Sequence, residues 1–438
     1  MKKPLFKDIG GYFYQKKEAE KLANFFKNYD HFCKKGAKLP RGVIFYGEPG
    51  TGKTMFAQAI ANEANIEIFP LTTDEFYKES NISSAIKNVF EEAAKHAPSM
   101  ILIDELDRLV NCDMSYQKNE SDKQREALRV LLTEIDKIQN KGVLIVATAN
   151  IRLRFIPAAL VRNGRIEKHI EIGIPSKEDR VEILNIYLSK NPCFKDIISE
   201  DIAAYTSNFS GAALASLVND VLINCVAKDK EATFDDFVEP IEIIKNSGIR
   251  KKASDDNSST IYHEIGHFIA DYELNKTIGM INVVPFAQSN GTFTRVDVEE
   301  QNKTSNMSYT KMYNECIISI SGLVATELFK GEAYMGASND IEKLTNRYIE
   351  MANSGLLDNY SMGLSVLTSI NFYTTYNDSH NEFINRFSKF VDEIKQKSKE
   401  ILLKHKDLVN ILFEELNKKS VLTHTEIEEI IEKHNCLN

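Results

Sequence analysis

The run Val43-Ile44-Phe45-Tyr46-Gly47-Glu48-Pro49-Gly50-Thr51-Gly52-Lys53-Thr54 decides the architecture of the first half of the chain. Four apolar residues make a short strand. The next eight match G-x-x-x-x-G-K-[ST], and Met55, Phe56, Ala59 and Ile60 continue as a helix. Strand, glycine-rich loop and helix, in that order, are the setting in which this motif holds a nucleotide. The glycines let successive backbone N–H groups curl around phosphates at the N-terminus of the helix. Lys53 then reaches the β- and γ-phosphates of ATP, and Thr54 binds Mg2+.

Working outward, Met100-Ile101-Leu102-Ile103 is an apolar strand that ends in Asp104 and Glu105, fifty residues beyond Thr54. At that position the acid pair reads as Asp104 in the Mg2+ shell and Glu105 polarising the attacking water. Another strand, Val143 to Ala147, runs into Thr148-Ala149-Asn150, which puts Asn150 beside the phosphates, where it can orient water. A further strand candidate is Ile66 to Leu71. Charged or amphipathic helices are expected at Gln15 to Asn28 and Ala127 to Lys137, with a polar loop from Asn111 to Glu126. Arg162 and Arg165 precede a last strand at His169 to Ile172. Two arginines there read as arginine fingers that stabilise γ-phosphate charge in the transition state. If they act on a neighbour's nucleotide, the assembly is a ring.

The second half carries His263-Glu264-Ile265-Gly266-His267, a match to H-E-x-x-H. Residues four apart share one helix face, so His263 and His267 can both offer imidazole nitrogens to one zinc ion. Glu264 stands beside the first ligand, where a general base for water is needed. Ile261, Ile265, Phe268 and Ile269 form a separate apolar stripe on the same helix. A third protein ligand is required. Glu327, Glu332, Asp340 and Glu342 are candidates, and spacing alone does not choose among them; Asp340 could equally cap a helix.

At 438 residues, two or three domains are expected. A net charge of −9 with no basic run argues against nucleic acid as a partner. Six cysteines without close pairs fit reduced thiols and exclude a cysteine zinc cluster. The start lacks a signal-peptide core, and no apolar run approaches the ~18 residues of a membrane span. A soluble, cytoplasmic protein with no transmembrane segment is therefore expected. Residues 246–260 are the most polar connection in the chain and read as a linker. Beyond it come a strand at Ile278 to Val284, a long polar loop, and helices at Tyr313 to Phe329, Ile341 to Ala352 and through the tail. Thr423 and Glu426 make a capping box for the last helix.

Residues 1–245 resemble an AAA+ ATPase module, and Asn208-Phe209-Ser210-Gly211-Ala212-Ala213-Leu214 resembles its lid motif with Ala213 in place of the usual Asp. An AAA+ module followed by H-E-x-G-H, from about Phe6 to Ile431, resembles FtsH, the ATP- and zinc-dependent protease family of peptidase family M41. Gly336-Ala337-Ser338-Asn339-Asp340 matches that family's downstream signature, and the resemblance makes Asp340 the third zinc ligand. It implies an α/β AAA+ P-loop domain (1–175) with a helical lid (176–245), then the linker and a mainly α zinc-protease domain (261–438). It also implies protein substrates and a homo-hexamer.

Three departures stand out. The family's two N-terminal transmembrane helices have no counterpart in this sequence. The stretch Asp74 to Ile82 lacks the aromatic-hydrophobic-Gly triplet of the family's first pore loop, leaving Phe76 or Tyr77 as substitutes, and the second pore loop has no Gly. The expected activity is ATP-dependent zinc endopeptidase. The alternatives are an ATP-gated peptidase for unfolded chains and an ATP-driven remodelling protein with a non-catalytic protease-like half.

Overall fold

The apolar segments on either side of the P-loop become one parallel sheet. In this computed structural model, the described residues are 3–37, 40–71, 82–110, 118–139, 141–245, 257–284, 291–295, 307–332, 338–357 and 378–437. The chain forms two compact units, Met1–Pro240 and Ile241–Asn438.

In the first unit, β1 (Gly42–Tyr46), β2 (Glu67–Leu71), β3 (Ser99–Ile103), β4 (Val143–Ala149) and β5 (Lys168–Glu171) line up in the order β2-β3-β4-β1-β5. Every pairing is parallel. Parallel neighbours need crossovers, and the helices Lys53–Ala64, Ile82–Lys95 and Lys118–Lys137 supply them. Val43, Ile44, Phe45 and Met100 to Ile103 are buried, as strands covered on both faces must be. The register Ile103↔Ala147 and Phe45↔Thr148 brings the carboxyl ends of β1, β3 and β4 to one edge, where ligands of open α/β sheets bind. The helix expected from Ala127 begins at Lys118, because the preceding Lys, Glu, Gln and Arg residues have good helix propensity without any apolar stripe to reveal it.

After β5 the unit is helical, with Lys177–Leu188, Ser199–Tyr205, Gly211–Ala227 and the start of Asp235–Lys245. Ser176 and Asp179 form a reciprocal capping box at the first of these.

The second unit is mainly α, with helices Ser258–Asn275, Tyr309–Lys330, Ser338–Asn353, Asp378–Lys404, Lys406–Lys419 and His424–Leu437. A small antiparallel sheet accompanies them, ordered β7-β6-β8: β6 (Gly279–Asn282), β7 (Thr292–Arg295) and β8 (Val421–Leu422). β7 lies in what the sequence reads as polar loop. Ile261, Ile265, Phe268 and Ile269 are all buried in the core of this unit, as their spacing predicts. Thr423 and Glu426 make the expected capping box: the Thr423 N–H donates to Glu426 Oε2 at 2.9 Å. Among the described residues, no helix is long and apolar enough to cross a membrane. Phe76 and Tyr77, residues 111–117 of the polar loop and residues 246–256 of the expected linker 246–260 lie outside the described residues; the linker's last three residues, 258–260, are instead the first turn of the helix Ser258–Asn275.

Candidate functional site

Two sites are built, one in each unit. In the first, the chain leaves β1, turns through the P-loop and enters the helix Lys53–Ala64. Gly52 caps that helix at φ +98°, a left-handed conformation that side-chain-bearing residues rarely adopt. The buried Lys53 Nζ donates to the Gly47 and Glu48 carbonyls at 3.0 and 2.6 Å. Burial lowers its pKa, opposed by the charges of Asp107, Glu48 and Asp104. Thr54 Oγ1 and Thr148 Oγ1 both donate to Asp104 Oδ1, at 2.9 and 2.5 Å. The next backbone N–H, of Glu105, donates to Thr148 Oγ1 at 3.0 Å. Thr148 thus ties both acids to the end of β4. Glu105 is also paired with Arg108 at 2.9 Å. The Asn150 N–H donates to Asp107 Oδ1 at 3.0 Å.

A cavity of about 480 Å³ opens here, lined by Pro49 to Thr54, Asp104, Glu105, Thr148 and Asn150. Its volume falls within the ~300–1,000 Å³ of small-molecule sites. Helix N-terminus, buried ammonium, hydroxyl and carboxylate together suit a Mg2+-bound polyphosphate.

In the second unit, His263 and His267 lie one turn apart on the helix Ser258–Asn275, and Asp340 lies in the first turn of Ser338–Asn353. His263 Nε2 is 3.1 Å from Asp340 Oδ2 and 3.1 Å from His267 Nε2. The third edge, His267 Nε2 to Asp340 Oδ2, is 3.4 Å. A tetrahedral zinc with bonds of about 2.0–2.1 Å has ligand–ligand edges of roughly 3.3 Å. The donor set therefore fits zinc in chemistry and in size. His267 Nδ1 donates to the Ile318 carbonyl at 2.7 Å, which leaves Nε2 with its lone pair facing the other two donors. Burial would raise the Asp340 carboxyl, but the two imidazoles beside it outweigh that and hold the group well below the usual range. Glu264 is buried beside them, and burial pushes its carboxyl up to about 7. A divalent cation alongside would pull that value down again.

Two glycines let this arrangement form. A Cβ on Gly266 would stand 2.3 Å from the Ser321 carbonyl oxygen, and one on Gly322 would stand 2.6 Å from His267 Nε2 and 2.7 Å from His263 Nδ1. The helices Ser258–Asn275 and Tyr309–Lys330 therefore pack at these two positions with no room for a side chain on either glycine. Gly322→Ala is expected to push the imidazoles out of register, lowering zinc affinity at least ~10-fold and stability by about 1–3 kcal/mol. Metal analysis after dialysis and thermal melting check both effects.

Comparison with known proteins matches both halves of the chain. The ATPase family associated with various cellular activities (AAA) matches residues 43–174, and peptidase family M41 matches residues 251–430. The ATP-dependent zinc metalloprotease FtsH 2 of Thermoanaerobacter sp. (strain X514) is 30% identical, covering 99% of this chain and 84% of its own length. The chain belongs to the FtsH family of ATP-dependent zinc metalloproteases. Other FtsH relatives also span nearly all of it: FtsH 1 of Alkaliphilus metalliredigens (strain QYMF) is 30% identical over 97% of this chain and 73% of its own length. FtsH of Karelsulcia muelleri (strain DMIN) is 29% identical over 98% and 71%.

Within this FtsH-family chain, Lys53, Thr54, Asp104, Glu105 and Asn150 come together at one cavity, and His263, His267, Asp340 and Glu264 at one centre. Glu327, Glu332 and Glu342 do not join His263, His267 and Asp340 in the group of residues, among those described, whose donor atoms could hold a metal ion. The two arginines separate. Arg162 is exposed, whereas Arg165 is buried and held by Asp136 through Nε at 2.9 Å and Nη2 at 2.7 Å. Arg165 also donates to the Ala159 carbonyl at 2.7 Å. A guanidinium so committed is held within its own loop. Neither lines the cavity of its own chain.

Some cavity residues escaped the sequence reading. Asp8, Ile9, Gly10, Tyr12, Ile183, Tyr187 and Ala212 also line it, and the Ala212 N–H donates to the Gly50 carbonyl of the phosphate loop at 2.9 Å. The paired glycines Gly10-Gly11 ahead of a helix were the available signal. In the second unit, the Phe293 N–H donates to the Glu264 carboxylate from β7, a strand too short to announce itself.

Proposed function

We propose that His263, His267 and Asp340 ligate the zinc and that Glu264 is the general base of peptide-bond hydrolysis. In the same proposal, the loop Gly47-Glu48-Pro49-Gly50-Thr51-Gly52 with Lys53, Thr54 and Asp104 holds Mg2+ and ATP. Glu105 polarises the attacking water and Asn150 orients it. Bound zinc polarises the scissile carbonyl and eases ionisation of the attacking water near neutral pH. Glu264 takes the proton of that water and hands it to the leaving amine. Its burial supports this role, because a carboxyl kept out of bulk water exchanges protons only with groups brought to it.

The observation that carries the reading is the convergence of three donor atoms from two separate helices within 4.8 Å, with Glu264 beside them, on a chain that also builds the P-loop cavity. We propose the domain boundaries 1–175, 176–245 and 261–438, a homo-hexamer, and unfolded or misfolded polypeptides as substrates. Arg162 is exposed and does not line its own chain's cavity, which leaves it available to a neighbour's γ-phosphate and supports the ring; Arg165 and Asp136 fix the loop that carries it. A cytoplasmic location is supported by the cysteines 33, 193, 225, 316 and 436, all free thiols.

The test is light scattering with ATP followed by casein degradation on the ring fraction. Treatment with a zinc chelator is expected to stop degradation and leave ATP hydrolysis within about twofold, since the two sites share no residue; readdition of zinc restores activity. Degradation that survives complete zinc removal would overturn the assignment.

A further inference from the structure

The edge strand β7 is gripped from two directions, and only one of them belongs to the zinc centre. Alternate residues of a strand face opposite sides. Thr292 and Thr294 meet the last turn of the helix Asp235–Lys245. Thr292 Oγ1 donates to Glu242 Oε2 at 2.9 Å, and Lys245 Nζ donates to Thr294 Oγ1 at 3.2 Å. Glu242 and Lys245, three apart on their helix, are themselves paired at 3.6 Å. The Phe293 ring between the two threonines packs edge-on against Phe268 of the helix that carries the histidines, with centroids 5.6 Å apart. Phe293 also supplies the N–H that meets Glu264. At the far end, Arg295 reaches both Asp271 at 2.8 Å and Glu315 at 2.7 Å.

The chemistry of this clasp is costly for stability alone. Glu242 is wholly buried, and the desolvation of an enclosed ion pair often cancels its attraction, so apolar residues would hold a strand there as well. What the charges add is direction. Two hydroxyls spaced two residues apart are fixed by two heads of opposite sign, and that sets the height and tilt of the peptide unit between them.

We propose that Glu242 and Lys245 are positioning residues for the peptidase reaction: through Thr292 and Thr294 they fix β7 so that the Phe293 N–H holds the Glu264 carboxylate toward the zinc ligands. The inference rests on Glu264 being the general base.

The experiment compares Thr292→Val, which keeps the branched shape and loses the hydroxyl, with Thr292→Ser, which keeps the hydroxyl. On the zinc-loaded full chain with a short unstructured peptide, Thr292→Val is expected to lower kcat about 10-fold at unchanged KM and full zinc content, with Thr292→Ser within about twofold of wild type. On the zinc-free full chain, amide exchange at Phe293 is expected to speed up about 10-fold in Thr292→Val and not in Thr292→Ser. Undiminished kcat in Thr292→Val overturns the proposal. So does a loss accompanied by zinc release or by equal loss in Thr292→Ser, which would mark a merely structural contact. Glu264→Gln run alongside separates the two layers: if it still cleaves, the base assignment fails, and if it is silent while Thr292→Val is fully active, only the clasp fails.

Discussion

Replacing Glu264 with Gln is expected to lower peptide-bond hydrolysis by about 10²–10⁴-fold while zinc content and ATP hydrolysis stay at wild-type levels. The magnitude is that of removing a positioned general base, the role proposed for Glu264. Gln is isosteric, so the packing around this buried side chain is kept. The proposed zinc ligands His263, His267 and Asp340, 3.1 to 3.4 Å apart, are untouched. The neutral amide also removes a buried carboxylate, so melting temperature should hold or rise slightly. Casein degradation, metal analysis and phosphate release on the same preparation check the three parts. Casein degradation at the wild-type rate would remove Glu264 from the mechanism.

The second large effect is expected from Glu105→Gln. ATP hydrolysis should fall by at least ~10²-fold, because the amide no longer polarises the attacking water. Nucleotide should still bind, since Lys53, Thr54 and Asp104 keep their partners and the Glu105 N–H to Thr148 contact is a backbone one. The ion pair to Arg108 is lost, but both side chains are partly exposed and such pairs contribute little. Degradation of a folded substrate should cease, while cleavage of short peptides, which need no pulling, continues. Filter binding of ATP and parallel assays on folded and short substrates measure this. Folded-substrate degradation at the normal rate would contradict the link between the two halves.

The parts of both sites that were legible in the sequence are those whose geometry is local. The P-loop needs only a strand, a turn and a helix, and the His263–His267 pair needs only one helical turn. Asp104 and Asn150 were readable because parallel strands end at one edge, so each strand terminus is a fixed address. Asp340, 73 residues beyond His267, was not readable from spacing: only the packing of Ser338–Asn353 brings its carboxylate to the imidazoles, and a resemblance to a known family had to stand in for that packing. Gly322 carries no motif at all; its meaning comes from a helix crossing. β7 was hidden because four half-buried residues, Thr-Phe-Thr-Arg, between polar loops give too little alternation to notice. Arg162 and Arg165 look equivalent on paper, and only the Asp136 contact divides them.

The most direct measurement of the central claim, that ATP hydrolysis in the first unit serves the zinc centre in the second, is degradation of a folded reporter by the zinc-loaded chain with ATP and with a non-hydrolysable analogue. The account predicts loss of the reporter with ATP, and none with the analogue above the rate seen without nucleotide. Equal degradation under both conditions would contradict it.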